Sequence, residues 1–456
     1  MNQFVEDINK SGKKYVIAIT GGGSEAIPEL LKYGGASAVC KEIIVPYSPE
    51  SLNSFLRYVP SKACSSETAR KLALRSFQRC IALGSSPEAA VGFGVTCSLA
   101  RGSADGEIRP DGSRREHWVH VAFQDKTTTW VHSYDLTKSG MSREEEEGEA
   151  TSLVLGLIWK CLTNIDDNTY NKGIKWPKSD IGNECEPPKE IIELMCGRVN
   201  IARSLGGKRG TLERLPDGRE ISKLIYSGSF NPIHHGHIGV ATIAAIRTGI
   251  KPTFEVSIEN PDKPPLDYID IEERFFGISA ECAVNHLEYE NVIFTRYSLF
   301  KDKMMALPAH TFIMGADTAI RFCDKKYGSV EDSLESLDKS GCRVIITNRN
   351  GFDLSDIKRT KFGRHVNVQF IPESEYKDCG ISSSKIRNEK VIKIGPIRKY
   401  LHVERHKDGT LYIYADNRVW DGNPVTLRSM DNECNMEVGD TFNIYIPLED
   451  FIGVVK

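Results

Sequence analysis

Ser227-Gly228-Ser229-Phe230-Asn231-Pro232-Ile233-His234-His235-Gly236-His237 lies between the apolar run Leu224-Ile225-Tyr226 and a stretch, Ile238 to Arg247, whose apolar residues recur at helical spacing. A change of period from strand to helix across a turn rich in Gly, Asn and Pro predicts a connection at the carboxyl end of a strand, where α/β sheets bind ligands. Three of the chain's eleven histidines fall in its last four positions. Histidine is a common zinc ligand, yet no Cys or Glu stands nearby at a matching spacing. A purely structural turn accounts for Gly and Asn-Pro but not for three polar rings. A phosphate-binding turn accounts for every residue type. Gly228 and Gly236 let the backbone approach a ligand, amides at a helix start favour anions, and His234 and His237 can donate hydrogen bonds to phosphoryl oxygens.

Outward from this segment, Phe312-Ile313-Met314 and Arg343-Val344-Ile345-Ile346-Thr347 read as further strands among helical stretches, which predicts a parallel sheet. From Lys14 to about Thr163, β-rich runs such as Tyr15-Val16-Ile17-Ala18-Ile19 and Trp118-Val119-His120-Val121-Ala122-Phe123 alternate with helical stretches, a second α/β unit. Ser66 is placed to cap a helix running to Ala82, and Ser142 with Glu145 forms a capping box before another. The acidic run Glu144 to Glu147 then falls in a first helical turn, where it suits the helix dipole. Asn164 to Pro188 is polar, holds Pro177, Pro187 and Pro188 and lacks a sustained period, which predicts a linker. A short amphipathic helix (Ile191 to Ala202) and a basic, Gly-rich stretch (Gly206 to Gly218) continue it. After Gly395 the runs Thr410-Leu411-Tyr412-Ile413-Tyr414 and Thr441-Phe442-Asn443-Ile444-Tyr445-Ile446 are β-like. The expected organisation is an α/β domain at 14–163, a linker with a short helix at 164–222, a parallel-sheet α/β domain at 223–394 and a small β-rich extension of unassigned role at 395–456.

Of the 456 residues, 40% are hydrophobic and 27% charged, the balance of a globular chain. No apolar run approaches the roughly 18 residues of a membrane span, and Met1-Asn2-Gln3-Phe4 begins no secretory signal, so a cytoplasmic protein without membrane attachment is expected. A net charge of -3 provides no global basic field for nucleic acid. The twelve cysteines include no C-x-x-C pair and read as reduced thiols.

The histidine-rich turn resembles the H-x-G-H signature of the nucleotidylyltransferase superfamily, in the G-S-F-N-P-I-H-x-G-H form of nicotinamide or nicotinate mononucleotide adenylyltransferases. Two further blocks follow in the family's order. Met314-Gly315-Ala316-Asp317-Thr318 resembles its G-A-D block, and Ile381-Ser382-Ser383-Ser384-Lys385-Ile386-Arg387 resembles its I-S-S-T-x-I-R signature, with Ser384 where Thr is usual. The likeness spans about Leu224 to Asn388. By their own chemistry, Ser382, Ser383 and Ser384 offer hydroxyls and N-cap amides to a phosphate, and Arg387 offers a fork to the same anion. Asp317 can accept from ribose hydroxyls or an amide. Helix capping and an ordinary Asp turn are the plainer alternatives.

The resemblance implies a Rossmann-like domain in which Gly228, Ser229 and Phe230 lie along the nucleotide, with Gly315 and Asp317 also in the nucleotide site. It places His234, His237, Ser382, Ser383 and Arg387 around the phosphates of ATP. The activity it implies is transfer of an adenylyl group from ATP to a mononucleotide, a step of NAD biosynthesis, with Mg²⁺ carried mainly by the phosphates. Arg349, in Asn348-Arg349-Asn350-Gly351, resembles the Arg that follows a core strand in the bacterial branch. Cytidylyltransferases, which share H-x-G-H, usually carry R-T-x-G before I-S-T-S; here Tyr376-Lys377-Asp378-Cys379-Gly380 keeps the Gly and lacks the Arg. The choice between nicotinamide, nicotinate and another phosphate acceptor stays open, as does assembly into a homo-oligomer. A non-catalytic nucleotide-binding protein is the alternative class, against which the intact His234, His237 and Arg387 count.

In the N-terminal half, Thr20-Gly21-Gly22-Gly23-Ser24 follows the first strand, but no G-K-[ST] follows it, so a phosphate loop is weakly supported. Gly35-Ala36-Ser37-Ala38-Val39, Val45-Pro46-Tyr47-Ser48, Ser66-Glu67-Thr68-Ala69-Arg70 and Gly94-Val95-Thr96 resemble, in order, the C-terminal domain of the CinA family, the nicotinamide-nucleotide amidase fold, from about Lys14 to Leu162. The chain departs from it where chemistry would occur. Ile17 and Ala18 stand at the Glu and Ser positions of E-S-x-T-G-G, and Cys97-Ser98-Leu99-Ala100-Arg101 replaces G-x-A-G-P. An alanine cannot be acylated, so this domain is expected to bind, scaffold or regulate rather than hydrolyse. Ser24 is a substitute nucleophile on the wrong side of the glycines.

Overall fold

Lys14–Thr20 forms β1, an interior strand of the N-terminal unit's sheet, because its residues are apolar on both faces. Tyr15, Ile17 and Ile19 join one core cluster, whereas Val16 and Ala18 pack into two others on the opposite face. The structure is a computed structural model, and it describes residues 2–101, 115–137, 140–163, 181–185, 187–204, 212–214, 221–260, 264–349, 352, 354–388, 391–393, 401–405, 411–415, 425–427 and 445–447. Two compact units emerge, Met1–Val199 with Ile258–Ile271, and Asn200–Ser257 with Glu272–Lys456. Both are mixed α/β, and among the described residues no helix is long and apolar enough to cross a membrane.

In the first unit, α1 (Asn2–Lys10) precedes β1, and α2 (Ala26–Leu31), β2 (Cys40–Ile44), α3 (Pro49–Leu56) and α4 (Ser66–Ala82) follow it. Then come β3 (Ala90–Ser98), β4 (Trp118–Gln124), β5 (Thr129–Asp135), α5 (Arg143–Thr163), β6 (Ile181–Cys185) and α6 (Lys189–Met195). The six-stranded sheet has the order β2-β1-β3-β4-β5-β6, parallel from β2 to β3 and antiparallel beyond. Helix α4 lies directly on β3. A Cβ on Gly92 or Gly94 would come within 2.1 Å of the carbonyl oxygen of Ala73 or Ala69, so only glycine permits that approach.

Ser65, not Ser66, caps α4, since its extended backbone leaves its hydroxyl free to accept from the Thr68 amide at 3.1 Å. Ser142 and Glu145 do form the expected capping box, at 3.3 and 2.7 Å. The rest of the acidic run serves more than the dipole. Buried Glu146 accepts from the Ala100 amide (2.6 Å) and from His117 Nδ1 (2.7 Å). Glu147 accepts from the amides of Gly23 (2.9 Å) and Ser24 (2.7 Å) and from the Ser24 hydroxyl (2.9 Å). The amides that would make the glycine turn a phosphate loop are therefore directed at a carboxylate of the chain itself. Ile17 and Ala18 are wholly buried in β1, and the Ser24 hydroxyl is spent on Glu147.

The second unit begins earlier than expected. β7 (Ile201–Ser204) and β8 (Leu212–Arg214) form a hairpin on the edge of its sheet, so the segment expected as linker supplies strands to both sheets, β6 to the first and β7 with β8 to the second. Edge strands need only backbone pairing, which leaves little apolar pattern to read. The amphipathic helix also ends early, at Met195. Gly206 to Gly210 and Asp217 to Gly218 lie outside the described residues. The sheet continues with β9 (Leu224–Ser227), α7 (His235–Thr248), β10 (Pro252–Ser257), α8 (Tyr268–Val284), β11 (Asn291–Thr295), α9 (Phe300–Ala306), β12 (Thr311–Gly315), α10 (Ala316–Phe322), α11 (Val330–Ser340), β13 (Arg343–Thr347), α12 (Leu354–Arg359), β14 (Val368–Phe370) and α13 (Ser383–Asn388). Its strand order, β14-β13-β12-β9-β10-β11-β7-β8, is parallel from β14 to β11. The order reverses at β9, whose neighbours are β10 and β12, and that reversal is the switch point at which such sheets open a crevice.

Residues 258–271, expected within the second domain, belong to the first unit. The physical reason is ionic: Arg70 and Lys71 of α4 bury their charges on Asp267 and Asp270. Beyond α13, β15 (Val391–Lys393) pairs with β19 (Tyr445–Pro447), and β16 (Leu401–Arg405), β17 (Leu411–Ala415) and β18 (Val425–Leu427) form an antiparallel meander. The eleven described cysteines form no disulfide.

Candidate active site

The histidine-rich turn leaves β9 at the switch point. Phe230 takes a left-handed backbone (φ 43°), which a bulky residue adopts only when its surroundings compel it. Its ring lies 5.3 Å from those of Tyr226 and Phe254 and 5.2 Å from that of His237. A Cβ on Gly228 would stand 2.7 Å from the Phe230 ring, so this glycine makes room for an aromatic side chain of its own turn. Gly236 is filled from both sides, since its Cβ would lie 2.9 Å from Cys379 Sγ and 3.0 Å from the His234 ring.

His234 is the N-cap of α7 and is 4% exposed. Neither of its ring nitrogens has a hydrogen-bond partner among the described residues. A buried imidazole without partners forgoes the bonds that normally offset its desolvation, a cost that calls for an explanation. Burial pushes its pKa down to about 4, with Arg349 and then His235 adding to the effect. The His237 ring lies beside it, tilted by 39° with centroids 3.9 Å apart, and His237 Nδ1 accepts from the His234 amide at 3.2 Å. That bond places the proton of the neutral His237 ring on Nε2, which makes Nε2 the donor of that ring.

The second and third sequence blocks converge on the same strand ends. Gly315 ends β12, which pairs in parallel with β9, and a Cβ there would sit 2.7 Å from Asp317 Oδ1. Asp317 is half-engaged, its Oδ2 held by Arg321 at 3.1 Å. Ser382 caps α13 through the Lys385 amide (3.2 Å), and Ser383 donates to the carbonyl of Pro232 (2.8 Å), tying the last block to the first. Both hydroxyls thus have protein partners, and the tie is a role that capping chemistry did not foretell. Ser229 lies partly exposed in the turn. Arg387 lies in α13, and its side chain is outside the described residues.

Sequence reasoning singled out Arg349 but missed its partner and several neighbours. Tyr376 donates to the Gly236 carbonyl (3.0 Å), Asn348 donates to the Tyr376 carbonyl (3.0 Å), and Arg349 pairs with Asp378 (3.5 Å). These residues come from connections after β13 and β14, so only the register of the sheet brings them to α7. The described residues bring no three His, Cys, Asp or Glu together as a metal site.

Residues 225–389 match the cytidylyltransferase-like family model. They form a nucleotidylyltransferase-superfamily domain. The signature turn, the Gly315 block and the Ser382 block all fall within the matched span. No curated protein sequence matches the chain. Among solved structures, the competence/damage inducible protein CihA from Agrobacterium tumefaciens is 18% identical with a TM-score of 0.26, covering 35% of this chain and 88% of its own. A CinA superfamily protein from Klebsiella pneumoniae 700603 is 13% identical (TM-score 0.27; 36% and 98% covered). A competence or damage-inducible protein from Enterobacter asburiae is 17% identical (TM-score 0.27; 35% and 96% covered).

The depressed pKa of His234 has a signed consequence in the nucleotidylyltransferase domain. An unfolded histidine titrates near 6.5 and folded His234 near 4, so between those values the unfolded chain binds the extra proton. This residue therefore subtracts nothing above pH 6.5 and destabilises progressively as pH falls towards 4. Relative to the parent, His234→Asn should lose less melting temperature between pH 7 and pH 5; equal losses in both proteins would contradict the assignment.

Proposed function

We propose that the nucleotidylyltransferase domain adenylylates nicotinamide or nicotinate mononucleotide with ATP, releasing pyrophosphate and the dinucleotide. The observation that carries this reading is the buried, partnerless His234 beside a His237 whose donor is oriented, both at a helix start on the sheet's switch point. In-line transfer needs no protein nucleophile. The protein has to align the acceptor phosphate with the α-phosphorus and stabilise the charge that develops as pyrophosphate departs. His234 and His237 supply neutral donors for that charge, held by backbone and ring packing so that little reorganisation is needed. Gly228, Ser229 and Phe230 would lie along the nucleotide, Gly315 and Asp317 at its ribose or base, and Ser382, Ser383 and Arg387 towards the phosphates. Mg²⁺ would enter on the phosphates of ATP. The Gly315-Ala316-Asp317 block and Arg387 favour a mononucleotide acceptor, and the missing Arg before Gly380 disfavours a cytidylyl donor.

Purified protein with ATP, Mg²⁺ and either mononucleotide should produce pyrophosphate and dinucleotide in equal amounts. Pyrophosphate formation only with CTP and another phosphorylated acceptor would replace this reading. For the first unit we propose a binding or scaffolding role without hydrolysis, supported by Ala18 deep within β1. The full chain should release no ammonia from a mononucleotide amide; release abolished by Ser24→Ala would instead identify Ser24 as a nucleophile.

A further inference from the structure

Behind the signature turn lies an ion pair that nucleotidyl transfer does not itself employ. Glu255 sits within β10 and is fully buried, and Lys303 of α9 is 6% exposed. Charged side chains are rarely so buried. The Glu255 carboxylate accepts from Lys303 Nζ (2.8 Å), Thr295 Oγ1 (2.6 Å), Ser257 Oγ (3.2 Å) and the Ser227 hydroxyl. Lys303 Nζ also donates to Ser227 Oγ at 2.7 Å. Ser227, Ser257 and Thr295 are the last residues of β9, β10 and β11, three adjacent parallel strands, so the network fastens the sheet along the edge from which the signature turn departs.

Stability does not explain such a pair. Desolvating an ammonium and a carboxylate is costly, and well-packed apolar residues of like volume often do as well or better. What the pair supplies is a defined position for Ser227, the residue before Gly228. The Gly228 amide donates to the Glu255 carbonyl (3.0 Å), so both side chain and backbone of the turn's root are set by one residue of β10. The far end of the turn is held separately, by Ser383 on the Pro232 carbonyl. Between these anchors Phe230 keeps its left-handed backbone, a conformation that persists only where neighbours over-determine it.

We propose that Lys303 is a positioning residue for nucleotide binding: through Ser227 and Glu255 it sets the Gly228-Ser229-Phe230 turn against the nucleotide. The inference rests on the proposed use of this turn for ATP. Its test is the dissociation constant of ATP, measured by titration calorimetry on the full chain, beside the melting temperature. Lys303→Met combined with Glu255→Gln leaves no charge unpaired; it should melt close to the parent yet bind ATP about tenfold or more weakly, as expected when a contact is misplaced by a fraction of an ångström. Lys303→Arg keeps the charge and a donor and should recover most of the affinity. Should the double variant fail to fold, Ser227→Ala removes the relay hydroxyl while sparing the ion pair, and the same weakening is expected. Parental ATP affinity in either folded variant overturns the proposal. A parent that binds ATP but forms no dinucleotide would instead overturn the proposed reaction, leaving the role of Lys303 to be decided by the variants.

Discussion

His237→Ala is expected to lower kcat by about 10²-fold or more in a chain that remains folded, the loss typical of removing one preorganised donor to developing charge. The His237 ring is fixed by its Nδ1 bond to the His234 amide and by the Phe230 ring 5.2 Å away, so on the proposed reading its Nε2 donor would be positioned before substrate arrives. The same bond is half of a helix cap, and its loss alone costs about 0.5–2 kcal/mol of stability. Catalytic and structural effects are separable. Asn at 237 can still accept from the His234 amide through its side-chain carbonyl while removing the imidazole donor. His237→Asn should therefore melt nearer the parent than His237→Ala and be equally impaired in kcat. Full activity in either folded variant would remove His237 from the mechanism.

Asp267→Ala should destabilise the first unit by about 3–5 kcal/mol, because it leaves two buried cations sharing the single counter-charge of Asp270. Asp267 Oδ1 lies 2.6 Å from Arg70 and Oδ2 lies 2.9 Å from Lys71; Asp270 pairs with both cations as well, and all four side chains are buried. The two acids also cap α8 reciprocally, Asp267 donating its amide to Asp270 at 3.1 Å and receiving the Asp270 amide at 3.0 Å. Urea titration of the full chain measures the loss. A related outcome follows for a fragment of residues 205–456. It would keep residues 258–271 but lack Arg70 and Lys71, so α8 would lose the partners of its first turn, and it would also lack β7, which pairs with β11. Lowered stability together with changed KM or kcat is expected. A fragment with parental melting temperature and kinetics would show that the four-charge cluster is dispensable to the transferase half.

Much of this molecule was legible along the chain because local chemistry and fold agree. The change of period at Tyr226 to Ile238 marked a strand, a turn and a helix, since apolar alternation and helical spacing follow directly from which faces are buried. The Ser142 and Glu145 box was legible for the same reason, both partners lying within one turn of helix. Polar edge strands such as Ile181–Cys185 escaped notice because their stabilisation is backbone pairing, which leaves no side-chain pattern. The second job of Glu146 and Glu147 was hidden because the amides they receive come from Ala100, Gly23 and Ser24, remote in sequence.

The family resemblance implied that a histidine turn and a serine block belong together; by itself the order of residues determined that two α/β units occur in one chain and that position 18 offers no nucleophile. Those are properties of residue type and spacing. Tertiary structure alone decided that residues 258–271 join the first unit, that Ser383 holds the Pro232 carbonyl, that His234 is buried without a partner and that Lys303 stands against Glu255. Each of these depends on which groups are desolvated together, and burial is a property of packed surfaces that no local pattern encodes.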